Sequence, residues 1–402
     1  SSDLVLLAEE ERKRNTLDRG LLKWLEGVKN LEIEDVDFVI DRLEFTLPTQ
    51  IFRPPLLPKE VLPTGKPKGI LTSEFSIPVD TYRGGVTEVV LGATKSEGGT
   101  RSRTITVGGS KTTAFYAFED EKPNPPVIVG DVFDMKVSLP KPVREHFGEV
   151  LEDPAEWARV YVEKFDVDMI DLELISTDPL INDTPISESA KLVEEVLQAV
   201  DAPIVIGGSG SPKKDGDLLS KMAEVAEGER VLLSSATPDL YKPIAEAAKK
   251  HDHSVLSWTS LDINQQKELN RNLLEYLPKE RIIIDPTSAA LGYGIEYAFT
   301  IMERMRLSAL WADEELQMPM AAATSNSWAA REAWRKDHDL GPRNLRGPLW
   351  ETTSALTFLL AGVDMFIMLH PAAIRTVKEV AGWLMKENAE KTQKNWLDLE
   401  AV

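Results

Sequence analysis

From Thr87 onward, short apolar runs alternate with longer amphipathic ones, and this alternation constrains the fold more than any other feature of the chain. Apolar or period-two runs fall at 89–94, 127–131, 169–176, 204–207, 231–234, 254–258, 282–285, 318–321 and 364–368. Helical stretches lie between most of them, at 154–164, 188–200, 218–226, 240–250, 265–277, 295–310 and 373–388. Apolar strands separated by helices read as parallel βαβ units, because a strand covered on both faces has no polar side to show. A leading strand or hairpin followed by about eight such units fits an α/β fold of the (β/α)8 TIM barrel type, typically about 250 residues long. An open doubly wound sheet usually has fewer units.

The leading part of the chain follows other rules. Leu17, Leu21, Trp24, Leu25 and Val28 share one face of a helix over 4–29. Residues 31–47 switch to period two, with slips of phase near Glu34-Asp35 and Asp41-Arg42 that mark short strands with bulges or turns. Pro48, Pro54, Pro55, Pro58, Pro63, Pro67 and Pro78 then exclude a helix or a central strand and leave an extended arm. The expected division is an N-terminal α+β extension with a Pro-rich arm over 1–85 and a TIM barrel over 86–402. The extension is not needed to fill a complete barrel, so it is expected to serve assembly.

Charge and cysteine usage narrow the function. Lys and Arg number 46 against 66 Asp and Glu, a net charge of −20. So acidic a chain repels phosphate backbones and anionic lipid, which argues against nucleic acid and membrane surfaces as main partners. No run reaches the roughly 18–20 apolar residues of a membrane span. The opening Ser1-Ser2-Asp3 lacks the pattern of a signal peptide. Cysteine is absent, which rules out disulfides, a thiolate nucleophile, Cys-ligated zinc and a Cys-held iron–sulfur cluster in this chain. A cytoplasmic location is expected.

In a barrel the chemistry sits at the C-terminal ends of the strands. The residues expected there are Asp131; Thr177 and Asp178; the glycine-rich 207–210; Ser234 and Ser235; Ser260 and Asp262; Asp285, Thr287 and Ser288; Thr324 and Ser325; and His370. In Ile170-Asp171-Leu172-Glu173-Leu174, period two turns three aliphatics toward the helices and both carboxylates into the barrel. Buried carboxylates of this kind either exchange protons or fill the core as hydrogen-bonded groups. His251 and His253 fall at the opposite end and are expected on the surface. Gly208-Ser209-Gly210 with Lys213 and Lys214 is a weak anion signal, because the third glycine of a dinucleotide fingerprint is missing.

Several stretches together resemble a known family. They are Gly92-Ala93-Thr94-Lys95 with Gly98-Gly99-Thr100-Arg101-Ser102 and Thr106-Val107-Gly108-Gly109; Leu261-Asp262-Ile263-Asn264; Ile284-Asp285-Pro286 with Leu291-Gly292-Tyr293-Gly294-Ile295-Glu296-Tyr297; Ile301-Met302-Glu303-Arg304; and Leu349-Trp350-Glu351 with His370-Pro371. From about Val86 onward the chain is similar to the small subunit of the corrinoid iron–sulfur protein, in archaea the delta subunit of the acetyl-CoA decarbonylase/synthase complex. The leading 85 residues point to the archaeal form.

The resemblance implies a barrel related to pterin-dependent methyltransferases. It would be paired as a heterodimer with a large (gamma) subunit that holds the cobamide and the iron–sulfur cluster. It would work with the acetyl-CoA synthase beta subunit in methyl transfer between a tetrahydropterin and a nickel centre, the chemistry of methanogenesis and the Wood–Ljungdahl pathway. No catalytic residue or metal ligand is implied for this chain. The cover over the corrinoid is expected from Thr94 and Arg101 at the entry, with Asp262, Asn264, Asp285, Thr287, Ser325 and His370. The alternative is a methyltransferase barrel that binds methyltetrahydropterin through acidic strand-end residues and passes the methyl to cob(I)amide.

Overall fold

The computed structural model describes residues 79–115, 122–288, 294–336 and 339–385. The chain divides into two compact units, Ser1–Phe75 and Ser76–Val402. The leading helix, the period-two segment and the arm as far as Pro78 lie outside the described residues, as do His338 and the end of the last expected helix.

β1 (Glu88–Leu91) and β2 (Ile105–Gly108) form an antiparallel hairpin with Leu91 opposite Ile105. The remaining strands are β3 (Val127–Phe133), β4 (Met169–Glu173), β5 (Ile204–Gly207), β6 (Leu232–Ala236), β7 (Ser254–Trp258), β8 (Ile282–Asp285), β9 (Ala321–Ala323) and β10 (Met365–Met368). All pair in parallel in the order β8-β7-β6-β5-β4-β3-β10-β9. The two ends of that order meet, because a parallel bridge joins Ile284 of β8 to Met320 just ahead of β9. Ile284 N donates to Pro319 O at 2.8 Å across this seam. The sheet is therefore a closed (β/α)8 barrel, as the alternation predicts.

Strand alternation sorts the side chains into two cores. Val127, Val129, Met169, Val205, Leu232, Leu256, Ile283, Met365 and Ile367 point inward and pack with Val89, Leu91 and Val107 of the hairpin. Ile128, Ile170, Leu172, Ile206, Leu233, Val255, Ile284 and Phe366 point outward against the helices. Burying each such aliphatic side chain is worth about 2 kcal/mol. The hairpin sits at the N-terminal ends of the barrel strands. Thr87 N donates to Gln317 O at 2.8 Å, and Gly92 N and Ser102 N donate to Arg230 O and Asp201 O at 2.9 Å. This apolar plug leaves the barrel interior open at the C-terminal ends of the strands.

The helices are α1 (Lys141–Phe147), α2 (Pro154–Phe165), α3 (Ile186–Ala199), α4 (Asp215–Val225), α5 (Tyr241–His251), α6 (Ile263–Leu274), α7 (Ile295–Leu310), α8 (Arg343–Leu360) and α9 (Pro371–Met385). α2 shows why such segments are helical. Asp153 caps it by accepting from Ala155 N and Glu156 N, and Pro154 fills the first position, where no N–H is needed. Its buried face carries Trp157, Ala158 and Tyr161. Among the described residues no helix is long and apolar enough to cross a membrane.

The structure differs from the sequence reading in α1, which falls in no expected helical stretch, and in two further elements. α8 was not expected, because Gly347-Pro348 reads as a break. In fact Gly347 lets a ring lie on the helix, since a Cβ there would meet Trp328 Cζ3 at 2.2 Å. β9 also begins three residues later than the expected 318, because Pro319 offers no N–H to a ladder.

Tyr161 lies flat over Gly130 of β3, where a Cβ would be 2.7 Å from Tyr161 Cγ, and its hydroxyl donates to Leu369 O at 2.6 Å. Gly130→Ala should therefore push the ring off the strand and cost about 1–3 kcal/mol, seen as a lower urea midpoint. An unchanged midpoint would show that the contact is slack.

Candidate functional site at the barrel mouth

The register between β3 and β4 sets Asp131 opposite Asp171 and Phe133 opposite Glu173. Asp131, Asp171 and Glu173 thus follow Val129 and Met169 on the inner face, as period two predicts. Gly207 of β5 makes room for the third carboxyl, because a Cβ there would sit 2.5 Å from Glu173 Oε2. Asp131 Oδ1 is buried with no hydrogen-bond partner among the described residues, and the Asp171 carboxyl is buried against that of Glu173, with which it shares a hydrogen bond.

Burial governs the protonation of this trio. It raises Asp131 to about 6, opposed by a hydrogen bond from Ser325. It raises Asp171 well above the carboxylate range, with the charges of Glu173 and then Asp131 adding to the effect. Glu173 goes to about 8, by burial first and the Asp131 charge second. Near neutral pH the mouth is therefore not a triple anion. Asp171 and Glu173 hold protons and can donate hydrogen bonds, while Asp131 accepts.

The loops after β7 and β8 are braced against each other. Asp285 ends β8, is raised to about 7 by burial, and accepts from Thr287 N at 2.8 Å. Thr287 Oγ1 donates to Thr259 O at 2.7 Å, and Leu261 N donates to Pro286 O at 3.1 Å. Thr287 and Leu261 sit at φ 74° and 55°, a left-handed conformation that side-chain-bearing residues rarely adopt. Such strain persists only where surrounding bonds enforce it, and it gathers at ligand-facing loops. Asp262 is committed to structure: it caps α6 by accepting from Asn264 N at 2.8 Å and Gln265 N at 3.1 Å.

A buried carboxylate from α8 joins the ends of β9 and β10. Glu351 is fully buried and accepts from Leu369 N at 2.6 Å, Trp328 Nε1 at 2.9 Å and His370 N at 3.0 Å. Burial raises it to about 7 against those three donors. His370 stacks on Trp328 at 5.6 Å and meets His146 edge-on at 4.7 Å. Its Nδ1 accepts from Ala372 N at 3.1 Å, and its ring also bonds the Pro142 backbone. Burial, and then the His146 charge, lower it to about 4. His370 is thus a neutral cap of α9.

The eight residues expected to cover a cofactor do not all meet. Asp262, Asn264, Asp285, Thr287, Ser325 and His370 stand at the open end. Thr94 and Arg101 stand at the plugged end, because the hairpin that carries them binds the N-terminal ends of the strands. There Arg101 Nε pairs with Glu229 at 2.7 Å, and its Nη1 and Nη2 donate to Val200 O and Leu197 O at 2.7 Å. Thr94 caps a short turn and bonds Glu97 at 2.9 Å.

Two weaker signals also resolve. Asp215 fills the glycine-rich loop itself, accepting from Ser209 N at 3.0 Å and Gly210 N at 2.7 Å, so no amides there are left for an anion. His253 is not on the surface but fully buried, with Nδ1 accepting from Val231 N at 3.2 Å and Nε2 bonding Ala223 O at 2.8 Å. Among the described residues no group of three or more His, Cys, Asp or Glu side chains is arranged to hold a metal ion.

Site reading from sequence missed Glu351. The available signal was a lone Glu whose helical neighbours at i+4 and i+7, Ala355 and Phe358, are buried apolar residues.

The raised carboxyls have a testable consequence. Glu173 keeps its proton up to about pH 8 when folded but releases it near the ordinary 4.5 when unfolded. Its contribution to stability is full at low pH and is lost as pH rises through that window. Glu173→Gln should be more stable than the parent at about pH 8.5, by on the order of 1–3 kcal/mol, and should lose its advantage near about pH 4. Parallel melting-temperature profiles for the two proteins would contradict this assignment.

The chain is a (β/α)8 barrel with buried carboxyls at the C-terminal ends of its strands, the end where such barrels carry their sites. Residues 88–338 match the family described as CO dehydrogenase/acetyl-CoA synthase delta subunit, and the chain belongs to that family. It is 53% identical to the acetyl-CoA decarbonylase/synthase complex subunit delta of Archaeoglobus fulgidus, covering 78% of this chain and 72% of that one. Subunit delta 1 of Methanosarcina thermophila is 50% identical over 83% of this chain and 79% of its own. Subunit delta of Methanopyrus kandleri is 43% identical over 94% and 96%. Among solved structures, a dihydropteroate synthase of Xanthomonas albilineans aligns at TM-score 0.45 and 15% identity, over 66% of this chain and 94% of that one.

Proposed function

We propose that this chain is a non-catalytic subunit of an acetyl-CoA decarbonylase/synthase complex in the cytoplasm. It pairs with a gamma subunit that carries the cobamide and the iron–sulfur cluster, and its barrel mouth caps the corrinoid. Family membership supports the complex. The observation that carries the cap is the chemical quiet of the mouth. A cover over a methyl-bearing cobalt has to exclude water without taking the methyl itself. Asp171 and Glu173 hold protons, and Asp131, the one of the trio that ionises near neutral pH, is buried and bonded by Ser325. The His370 ring is hydrogen-bonded to Ala372 N and the Pro142 backbone, and the chain has no cysteine. Protonated carboxyls and hydroxyls are poor nucleophiles where carboxylates, thiolates and free imidazole are good ones.

The cobamide, bound by the partner, supplies the cobalt that carries the methyl between a tetrahydropterin and the nickel centre of the acetyl-CoA synthase beta subunit. This chain's loops after β7, β8 and β9, with Asp262, Asn264, Asp285, Thr287 and Ser325, form the shield. His370 supports it from beneath, and the segment before the barrel serves assembly. Purification of the chain with and without its gamma partner tests the reading. Corrinoid absorbance is expected only in the pair, and absorbance retained by this chain alone would overturn it.

The unpartnered Oδ1 of Asp131, set in register beside the Asp171 carboxyl, favours one second reading, a methyltransferase barrel that binds the pterin itself. Adjacent protonated and ionised carboxyls can donate to and accept from the edge of a pterin ring. Titration of the isolated chain with methyltetrahydropterin separates the two. Saturable binding lost in Asp171→Ala, with methyl transfer to added cob(I)amide, would establish the second; no binding leaves the first.

A further inference from the structure

We infer a binding site on the β8–β9 side of the mouth, a cavity that takes an anionic amphiphile: a molecule with a flat aromatic body and a single charged end. The cavity has a volume of about 880 Å³ and lies between the turn at Thr324–Ala329, the start of α7 and the outer half of α8. That size is normal for a small-molecule pocket, roughly 300–1,000 Å³. Its walls are apolar, with Ile295, Ala323, Leu349, Trp350 and Phe358 among them. None of Asp131, Asp171 or Glu173 lines it. The inference therefore does not rest on the state of those carboxyls, although Ser288 and Thr324 place the cavity on the loops after β8 and β9 that the proposed shield also uses.

Three features mark it as a built site. The turn that lines it is rigid, because Trp328, between the lining residues Ser327 and Ala329, is held between the Gly347 backbone and the His370 ring and is bonded to Glu351. The floor carries two buried hydroxyls, Ser327 and Ser354, whose Oγ atoms stand 3.5 Å apart and bond each other only weakly. The rim carries Arg331 and Arg346. Arg346 is fixed by donating to Glu332 O at 3.0 Å and to Arg335 O, and its Nε is buried with no partner among the described residues.

The described residues of 331–350 include five cations against two carboxylates, in a chain whose net charge is −20. An apolar cavity buries an aromatic body, and the guanidinium groups at its edge select a carboxylate, sulfonate or phosphate at the end that stays near water.

The test uses the full chain and 8-anilinonaphthalene-1-sulfonate, with uncharged N-phenyl-1-naphthylamine as the comparison. The anionic dye should bind saturably at one site per chain. Arg331→Glu should weaken it about tenfold, equivalent to about 1.4 kcal/mol, while changing the neutral dye by less than about twofold. Thr353→Trp, on the exposed face of α8 and at the cavity wall, should abolish binding of both dyes while the melting temperature stays that of the parent. Dye bound at several sites and indifferent to Thr353→Trp would identify an open protein-docking face and overturn the proposal. Equal loss of both dyes, or of neither, in Arg331→Glu would overturn the anionic preference without relying on the tryptophan variant.

Discussion

A closed ring of short parallel strands turns every second side chain into an interior with almost no water, and the burial of carboxyls there controls the rest of this molecule. At the plugged end the interior is aliphatic and the hairpin completes it. At the open end Asp131 and Asp171 sit side by side in register, with Glu173 two residues on. Ionising all three would place adjacent like charges in a poor dielectric, so retaining protons is the lower-energy solution. The formal charge of −20 counts every acid as ionised. Asp131, Asp171, Glu173, Asp285 and Glu351 are all shifted toward neutrality. The most acidic-looking part of the fold is thus the part where acidity is most suppressed.

Much of this was legible in the sequence, because burial on both faces of a parallel strand leaves an apolar run that is hard to mistake. The inward turn of Asp171 and Glu173 followed from period two alone. What was not legible depended on contacts far along the chain. Gly347-Pro348 reads as a helix break until Trp328, nineteen residues earlier, is seen to need a bare backbone to lie on. Thr94 and Arg101 are expected at the entry of the mouth because they lie in the motifs of the family resemblance. Only the placement of the hairpin under the barrel shows that Arg101 spends its donors on Glu229 and the end of α3. The glycine-rich 207–210 looked receptive to an anion, but the chain supplies its own in Asp215. In each case local composition showed a capability and tertiary structure showed that it was already in use.

Glu351 illustrates how the mouth and the side cavity depend on one another. Its three N–H donors come from two places: the indole of Trp328 after β9 and the amides of Leu369 and His370 after β10. A carboxylate is suited to this position because it accepts from all of them and donates to none, whereas an amide would turn a donor toward a donor. The indole fixed in this way stacks on His370, and its chain neighbours Ser327 and Ala329 line the cavity. His370 in turn caps α9 and touches α1 through His146. Displacing Trp328 would expose the Glu351 carboxylate to a lost hydrogen bond and His370 to a lost stack at the same time. The rim after β9 and β10 is accordingly stiff, while the rim after β7 and β8 is held in strained left-handed turns at Leu261 and Thr287. A surface that must meet a partner in one orientation gains from such stiffness, because little conformational freedom remains to be lost on contact.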